Sequence, residues 1–430
     1  MTSPRPLQPM SPRIAELERR LSQGEDQALR VFWEDLRANG SPLVESLDDG
    51  SQEVLLTLVW RQDREVRNLT IVPGLRHGWQ PHENQMERLG RTDLWYRTYR
   101  VPRDLRTTYC LSPDDPLLSV AGLSPEQETA YFQERFAAWR LDPLNPLQFQ
   151  LVPGIPPVSV IELPDAPAQP WLLPREGTAR GEVESYAFTS ELLGDTRNLW
   201  VYRPPTQPTG ERPGLVVLLD GSAYLRLGMA TTLDNLISEG LIPPVTCVMV
   251  EQLHRNQELP CNARFSHFLA RELVPWFQEE LGLSEAPEDT VIAGSSYGGL
   301  AAVFCGFGHP DVFGRVLSQS GSFWWAPEGD PEPEWLTRQA VHRPAPGLRF
   351  YLETGRLDSG PTPGHGPSVL TSNRHLRDVL QAKQYDVSYH EFSGAHDYVC
   401  WRGGIAHGLI NLTGNSHPKA APRFNKDSAE

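Results

Sequence analysis

The chain has 430 residues, a formal charge of −15 and an apolar share of 39%. That length exceeds one ordinary domain of ~100–200 residues and predicts two. The acidic balance argues against a nucleic-acid or anionic-membrane surface, and the lack of any apolar run of ~18 residues argues against a membrane span. Five cysteines (Cys110, Cys247, Cys261, Cys305 and Cys400) are odd in number and show no CxxC spacing. They fit reduced thiols in a cytoplasmic protein and argue against a zinc site. The opening residues, MTSPRPLQPM, lack the apolar stretch of a secretory signal.

From residue 13 to about 37 the apolar positions Ile14, Leu17, Leu21, Val31, Phe32 and Leu36 recur at helical spacing. The period then changes. EVLLTLVWRQ, VRNLTIVPG and DLWYRTYRVP are strand-like, separated by the turn clusters NGSP and DDGSQ. This pattern, ending near 109–115, predicts a small Ig-like β-sandwich with a leading helix over residues 1–150. LDPLNPLQFQLVPGIPP carries five prolines, and residues 151–182 are expected to be a proline-rich linker. Beyond it, residues 183–414 alternate buried-strand candidates (214–220, 244–250, 290–294, 315–320, 348–355 and 386–392) with helical segments. That alternation predicts an α/β domain with a mostly parallel sheet covered on both faces. Pro275 should kink the helix expected over 263–281. Residues 415–430 read as a disordered tail.

Within this second region, Gly294-Ser295-Ser296-Tyr297-Gly298 fits G-x-S-x-G between a strand and a helix. That is the setting of the nucleophile elbow of an α/β-hydrolase. The sharp turn needs small flanking residues and lifts the Ser296 hydroxyl clear of the sheet. A serine hydroxyl is a weak nucleophile and needs a histidine base oriented by an acid. His396, in the loop FSGAHDYVCW after the last strand candidate, is the expected base, ahead of His390 within that strand and His407 in the helix beyond. For the acid, LRFYLETGRLDSG offers Asp358 in the loop and Glu353 inside the strand. The loop gives Asp358 better reach. An oxyanion hole needs two N–H donors. By analogy with the fold they are the amides of Tyr297 and of Ser222, the latter just past the strand VVLLD.

Taken together, LLDGSAYL, RNQELPCN, VIAGSSYGGLAAVFCGFGHPDVFG, VLSQSGSFWW and GAHDYVCWRGG resemble the enterochelin (ferric enterobactin) esterase family. The resemblance spans nearly the whole chain, since FWEDL and DPLNP match the family's N-terminal region and junction. It implies a cytoplasmic serine esterase that opens the trilactone of a catecholate siderophore. Ser296 would be the nucleophile, His396 the base and Asp358 the acid, a position where relatives also carry glutamate. The loop after Asp358, SGPTPGHGPSVLTSN, is long and departs from the family pattern.

No metal or organic cofactor is implied; iron would arrive with the substrate. A ferric tris-catecholate is a large trianion with flat rings, suited to arginines and aromatic faces. Arg255, Arg356, Trp324 and Trp325 are the binding candidates. The plainer roles would be core packing for the tryptophans and a salt bridge to Glu258 for Arg255. Trp60, Trp79, Trp95, Tyr96 and Tyr99 give the first domain an aromatic content that suits a wall of the substrate cleft, from Trp79 or Trp95, or a core with a lid. Two other functions compete: a general carboxylesterase on aryl or acyl esters, and a non-catalytic protein whose sandwich docks glycans or a partner.

Overall fold

The computed structural model describes residues 9–414 apart from 48–49, 77, 79, 119–122, 124, 152–155, 206–211, 343–346 and 363–365. The expected tail 415–430 and Trp79 lie outside the described residues.

Two helices lead the chain in place of the one expected: α1 (Pro12–Ser22) and α2 (Gln27–Asn39). The Ser11 side chain caps α1, accepting from the Ile14 N–H. Strands β1 (Leu43–Ser46), β2 (Glu53–Arg61), β3 (Leu69–Val72), β4 (Glu87–Arg88), β5 (Leu94–Pro102), β6 (Arg106–Pro113), β7 (Gln148–Phe149) and β8 (Val158–Glu162) follow, with helix α3 (Pro125–Ala138) between β6 and β7. They form two antiparallel sheets, ordered β1-β2-β5-β4 and β3-β6-β8-β7. Alternation along β2 explains the layering. Val54, Leu56 and Leu58 face the core between the sheets, while Val59 faces Phe32, Trp33 and Leu36 of α2.

The sandwich extends past its expected end. β8 pairs with β6 and β7, so the segment 151–182 supplies a strand of the N-terminal domain. The β-branched residues Val158, Val160 and Ile161 carry that strand, beyond the prolines that suggested a linker. The crossing between domains is the stretch 163–181. Asn235 anchors it by donating to the Trp171 and Leu173 carbonyls.

The second domain is built on one eight-stranded sheet. Its strands are β9 (Glu182–Ser190), β10 (Asp195–Arg203), β11 (Gly214–Leu218), β12 (Val245–Val250), β13 (Thr290–Ser295), β14 (Arg315–Gln319), β15 (Arg349–Gly355) and β16 (Asp386–Phe392). Their order is β16-β15-β14-β13-β11-β12-β10-β9. All six strand candidates from the sequence are present and mutually parallel. The antiparallel hairpin β9–β10, which pairs through β10 with β12, was not foreseen. The outer strand β9 is largely exposed, so its sequence, EVESYAFTS, lacks the apolar run of a buried strand.

Helices cover both faces: α4 (Gly221–Arg226), α5 (Met229–Ser238), α6 (Arg255–Glu258), α7 (Ala263–Phe268), α8 (Val274–Leu281), α9 (Tyr297–Gly308), α10 (Trp335–His342), α11 (Val369–Ala382) and α12 (Tyr398–Thr413). The helix expected over 263–281 is interrupted by a π-turn at Leu269–Leu273, and Pro275 sits in the first turn of α8. One apolar core, around Phe265, Phe268, Phe277 and Leu300, packs on one face of the sheet. A second, with Tyr224, Leu233, Ile405 and Leu409, packs on the other. None of the described helices is long and apolar enough to cross a membrane.

Candidate active site

Ser296 stands between β13 and α9 with φ 56° and ψ −121°, a backbone state strained for any side chain larger than glycine. Close approach explains the glycines around it. A Cβ on Gly294 would lie 2.6 Å from the Gly298 backbone, and one on Gly299 would lie 2.5 Å from Ser318 Oγ. The turn is tied to the next strand, since the Ser296 N–H donates to the Gln319 carbonyl (2.9 Å). Ser296 Oγ lies 3.3 Å from Ser322 Oγ, and the Ser322 N–H donates to the Ser296 carbonyl (3.1 Å). Ser322 belongs to the SQSGSFWW stretch, but sequence reasoning gave it no role.

His396 and Asp358, 38 residues apart, are brought together: His396 Nδ1 lies 3.3 Å from Asp358 Oδ2. The carboxylate is 6% exposed and the ring 27%, so the acid is enclosed and the imidazole opens outward. The two loops carrying them are bound to each other. The Arg356 N–H donates to the Phe392 carbonyl and the Leu357 N–H to the Gly394 carbonyl, both at 2.9 Å. The His396 ring rests edge-on against Trp401 (4.8 Å), whose Nε1–H donates to Ser320 Oγ. The other two histidines are occupied elsewhere. His390 stacks on Tyr351 and His407 meets Trp171 edge-on.

Glu353, the alternative acid, points into the interior. Its carboxylate accepts from Gln319 Nε2 (2.6 Å) and from the Tyr351 hydroxyl (3.2 Å). Burial pushes its carboxyl up to about 7, against the pull of those two hydrogen bonds. With its oxygens taken by Gln319 and Tyr351 in the interior, this carboxyl is poorly placed to orient the His396 ring.

Tyr297 is the first residue of α9 and Ser222 the second of α4, so both expected oxyanion-hole amides sit in the opening turns of helices. The two turns touch: a Cβ on Gly298 would lie 3.2 Å from Asp220 Oδ2. Asp220 itself adopts φ 56° and holds Arg255 in a two-pronged pair, Nε to Oδ1 at 2.7 Å and Nη2 to Oδ2 at 2.9 Å. Burial alone would push the guanidinium down; Asp220 more than offsets this and keeps it charged. Glu258, the partner considered for Arg255, pairs instead with the fully buried Arg197. No sequence signal pointed to Asp220, because the pair joins residues 35 positions apart on two turns.

The remaining binding candidates divide. Trp324 is half-buried with its ring 6.0 Å from that of Tyr297, beside the elbow. Trp325 packs against the sheet core and meets Trp335 edge-on, so the plainer role fits it better. Arg356 is exposed, two residues before Asp358. Trp95 does not face a cleft. It is 8% exposed, sits opposite Trp60 inside the sandwich, and donates through Nε1 to Gln62.

A serine on a strained elbow with a histidine–carboxylate pair is an arrangement suited to acyl transfer, and the comparisons with known proteins agree. The family described as "Putative esterase" matches residues 190–412, and the family described as "Enterochelin esterase, N-terminal" matches residues 55–172. The iron(III) enterobactin esterase of Escherichia coli O6:H1 is 32% identical over 350 residues, covering 78% of this chain and 83% of that one. Among solved structures, the ferric enterobactin esterase of Salmonella typhimurium superposes with a TM-score of 0.72 at 28% identity, covering 89% of this chain and 98% of that one. The Shigella flexneri enterobactin esterase, solved in the presence of enterobactin, gives 0.67 at 30% identity, covering 87% and 96%. The chain therefore belongs to the enterobactin esterase family, as a carboxylic ester hydrolase with an α/β-hydrolase fold behind a small β-sandwich domain.

Proposed function

We propose that this protein hydrolyses the trilactone ester bonds of a ferric enterobactin-type siderophore, with Ser296 as nucleophile, His396 as base and Asp358 as the acid that orients it. The observations that carry the assignment of roles are the His396 Nδ1–Asp358 Oδ2 contact and the strained strand-to-helix turn that presents Ser296. With Nδ1 committed to Asp358, Nε2 is left to take the serine proton. Ser296 Oγ lies against Ser322 Oγ, and catalytic hydrogen bonds often tighten only with substrate in place.

Ser296 Oγ attacks a lactone carbonyl and its proton passes to His396. The tetrahedral oxyanion is held by the amides of Tyr297 and Ser222. Collapse releases the seryl hydroxyl of the substrate, protonated by His396. Water, activated by the same imidazole, then hydrolyses the acyl-enzyme to a carboxylic acid. Trp324 and Tyr297 offer flat faces to catechol rings, and Arg356 offers an exposed cation to a trianion. Arg255, already matched by Asp220, serves first to fix the turn that carries Ser222. Iron is part of the substrate. Five free thiols suit the reducing cytoplasm as the place of action.

Product chromatography with ferric and iron-free trilactones, alongside a small aryl ester, tests this reading. Stepwise appearance of linear trimer, dimer and monomer, at kcat/KM far above that for the aryl ester, is expected. Turnover of the aryl ester with the trilactone left intact would contradict it and favour a general carboxylesterase.

A further inference from the structure

The His396 and Asp358 loops are both attached to the N-terminal domain. Asp397, next to His396, caps helix α12: its Oδ1 accepts the Cys400 N–H at 3.0 Å. Its other oxygen leaves the hydrolase domain altogether. Oδ2 accepts from Thr107 Oγ1 at 2.9 Å and from the Thr108 N–H at 3.1 Å, with Thr108 Oγ1 at 3.4 Å. Both threonines lie at the start of β6, and Thr107 is completely buried. The neighbouring backbone adds two bonds: the Arg106 N–H donates to the Ser393 carbonyl (2.9 Å), and the Arg106 carbonyl accepts from Cys400 Sγ (3.1 Å). Residues 106–108 thus grip positions 393, 397 and 400, which bracket His396. On the acid side, Leu357, next to Asp358, packs its side chain against the sandwich core.

A histidine base works only if its ring is held to within a fraction of an ångström, and that is done by neighbours whose own positions are locked. We infer that the N-terminal domain positions the His396–Asp358 pair, with Thr107 and Thr108 as positioning residues acting through the Asp397 carboxylate. The hydroxyl of Thr107 and the amide of Thr108 fix Asp397, Asp397 fixes the first turn of α12, and that turn fixes the histidine preceding it. The domain acts on the chemical step for any ester, independently of any contact it makes with a large substrate. This inference rests on the triad reading above and on no particular substrate.

The test uses the full-length chain with Thr107→Val, which keeps the shape and removes the hydroxyl, and Thr107→Ser, which keeps the hydroxyl. Two quantities are read well below Tm: kcat and KM on a small aryl ester, and the second-order rate of Ser296 labelling by a fluorophosphonate. Thr107→Val should lower kcat and the labelling rate together by about 3- to 10-fold, the scale of one ordinary hydrogen bond, with KM within about twofold. Thr107→Ser should return both rates to within about twofold of the unaltered protein. Asp397→Asn, measured in parallel, should lower both rates by at least as much, and it decides the matter if Thr107→Val does not fold. A Thr107→Val or Asp397→Asn protein with a lowered Tm but unchanged rates would show that the contact only holds the domains together, and would overturn the inference. So would a Thr107→Ser protein as slow as Thr107→Val. If Ser296 is not labelled in the unaltered protein, the triad reading itself fails.

Discussion

The two halves of the candidate site are held in different ways. The Ser296 half is built within about 30 residues: glycines that let α9 lie against β13 and β14, and a turn bonded to Gln319 and Ser322. The His396–Asp358 half is built across the molecule, with β6 holding Asp397 from about 290 positions away and the sandwich core receiving Leu357. A local motif can assemble the proposed nucleophile from its own short-range sterics. His396 and Asp358, the proposed base and acid, sit on loops, and loops need outside support to be precise.

Breaking either half at its chemistry should give the largest effects. Ser296→Ala removes one hydroxyl and should lower ester turnover on the order of 10⁴-fold or more with the Tm unchanged; normal turnover would displace the nucleophile to another residue. Asp358→Asn should cost about 10²- to 10⁴-fold, because the amide no longer holds the imidazole in the useful tautomer or stabilises its charge. Steady-state rates for Asp358→Asn and Glu353→Gln, side by side, check the assignment, and a larger loss in the second would transfer the role to Glu353.

Disturbing the scaffold of the serine half should do less to the rate but more to stability. Gly294→Ala places a Cβ 2.6 Å from the Gly298 backbone, which cannot rotate away. A destabilisation of about 1–3 kcal/mol, as for overpacking elsewhere, should appear in thermal melts together with roughly tenfold slower labelling of Ser296.

The smallest effect on rate is expected at Glu353, and it sharpens the contrast between the two acids. Its carboxyl is raised to about 7 in the folded protein from an ordinary value of 4.5. The folded state therefore binds the proton more tightly than the unfolded chain does. The stability this gives is complete below about pH 4.5 and is lost as pH rises through about 7. Glu353→Gln should leave Tm nearly unchanged at about pH 4 and raise it relative to the unaltered protein at pH 8, by a stability difference of up to about 3 kcal/mol. Equal melting shifts at both pH values would show that burial does not raise this carboxyl.

What could be read from the sequence follows the same division. The elbow turn and the six parallel strands come from short apolar runs and glycine spacing, and His396 and Asp358 are proposed from loop position, all local signals; the structure adds that these two side chains meet. The hairpin β9–β10 did not show, because an exposed edge strand has no reason to be apolar. Strand β8 was hidden behind prolines that suggested a linker. Trp95 looked like a binding surface and is core, since an aromatic on a two-layer domain can face either way and only the partner strand decides. Thr107, Thr108, Asp220 and Asp397 gained their roles only when distant segments met; a Thr-Thr pair in a strand carries no mark of what its hydroxyl will bind.

The claim that β6 acts through the histidine–acid pair is tested most directly by a double-mutant cycle on Ser296 labelling rates, with Thr107→Val introduced into the unaltered protein and into Asp358→Asn. Residues that act as one unit are not additive. Thr107→Val should slow labelling by about 3- to 10-fold in the unaltered protein and by less than about twofold once Asp358 has been changed. The same fold-loss in both backgrounds would contradict it, and would leave the N-terminal domain with no hold on the pair.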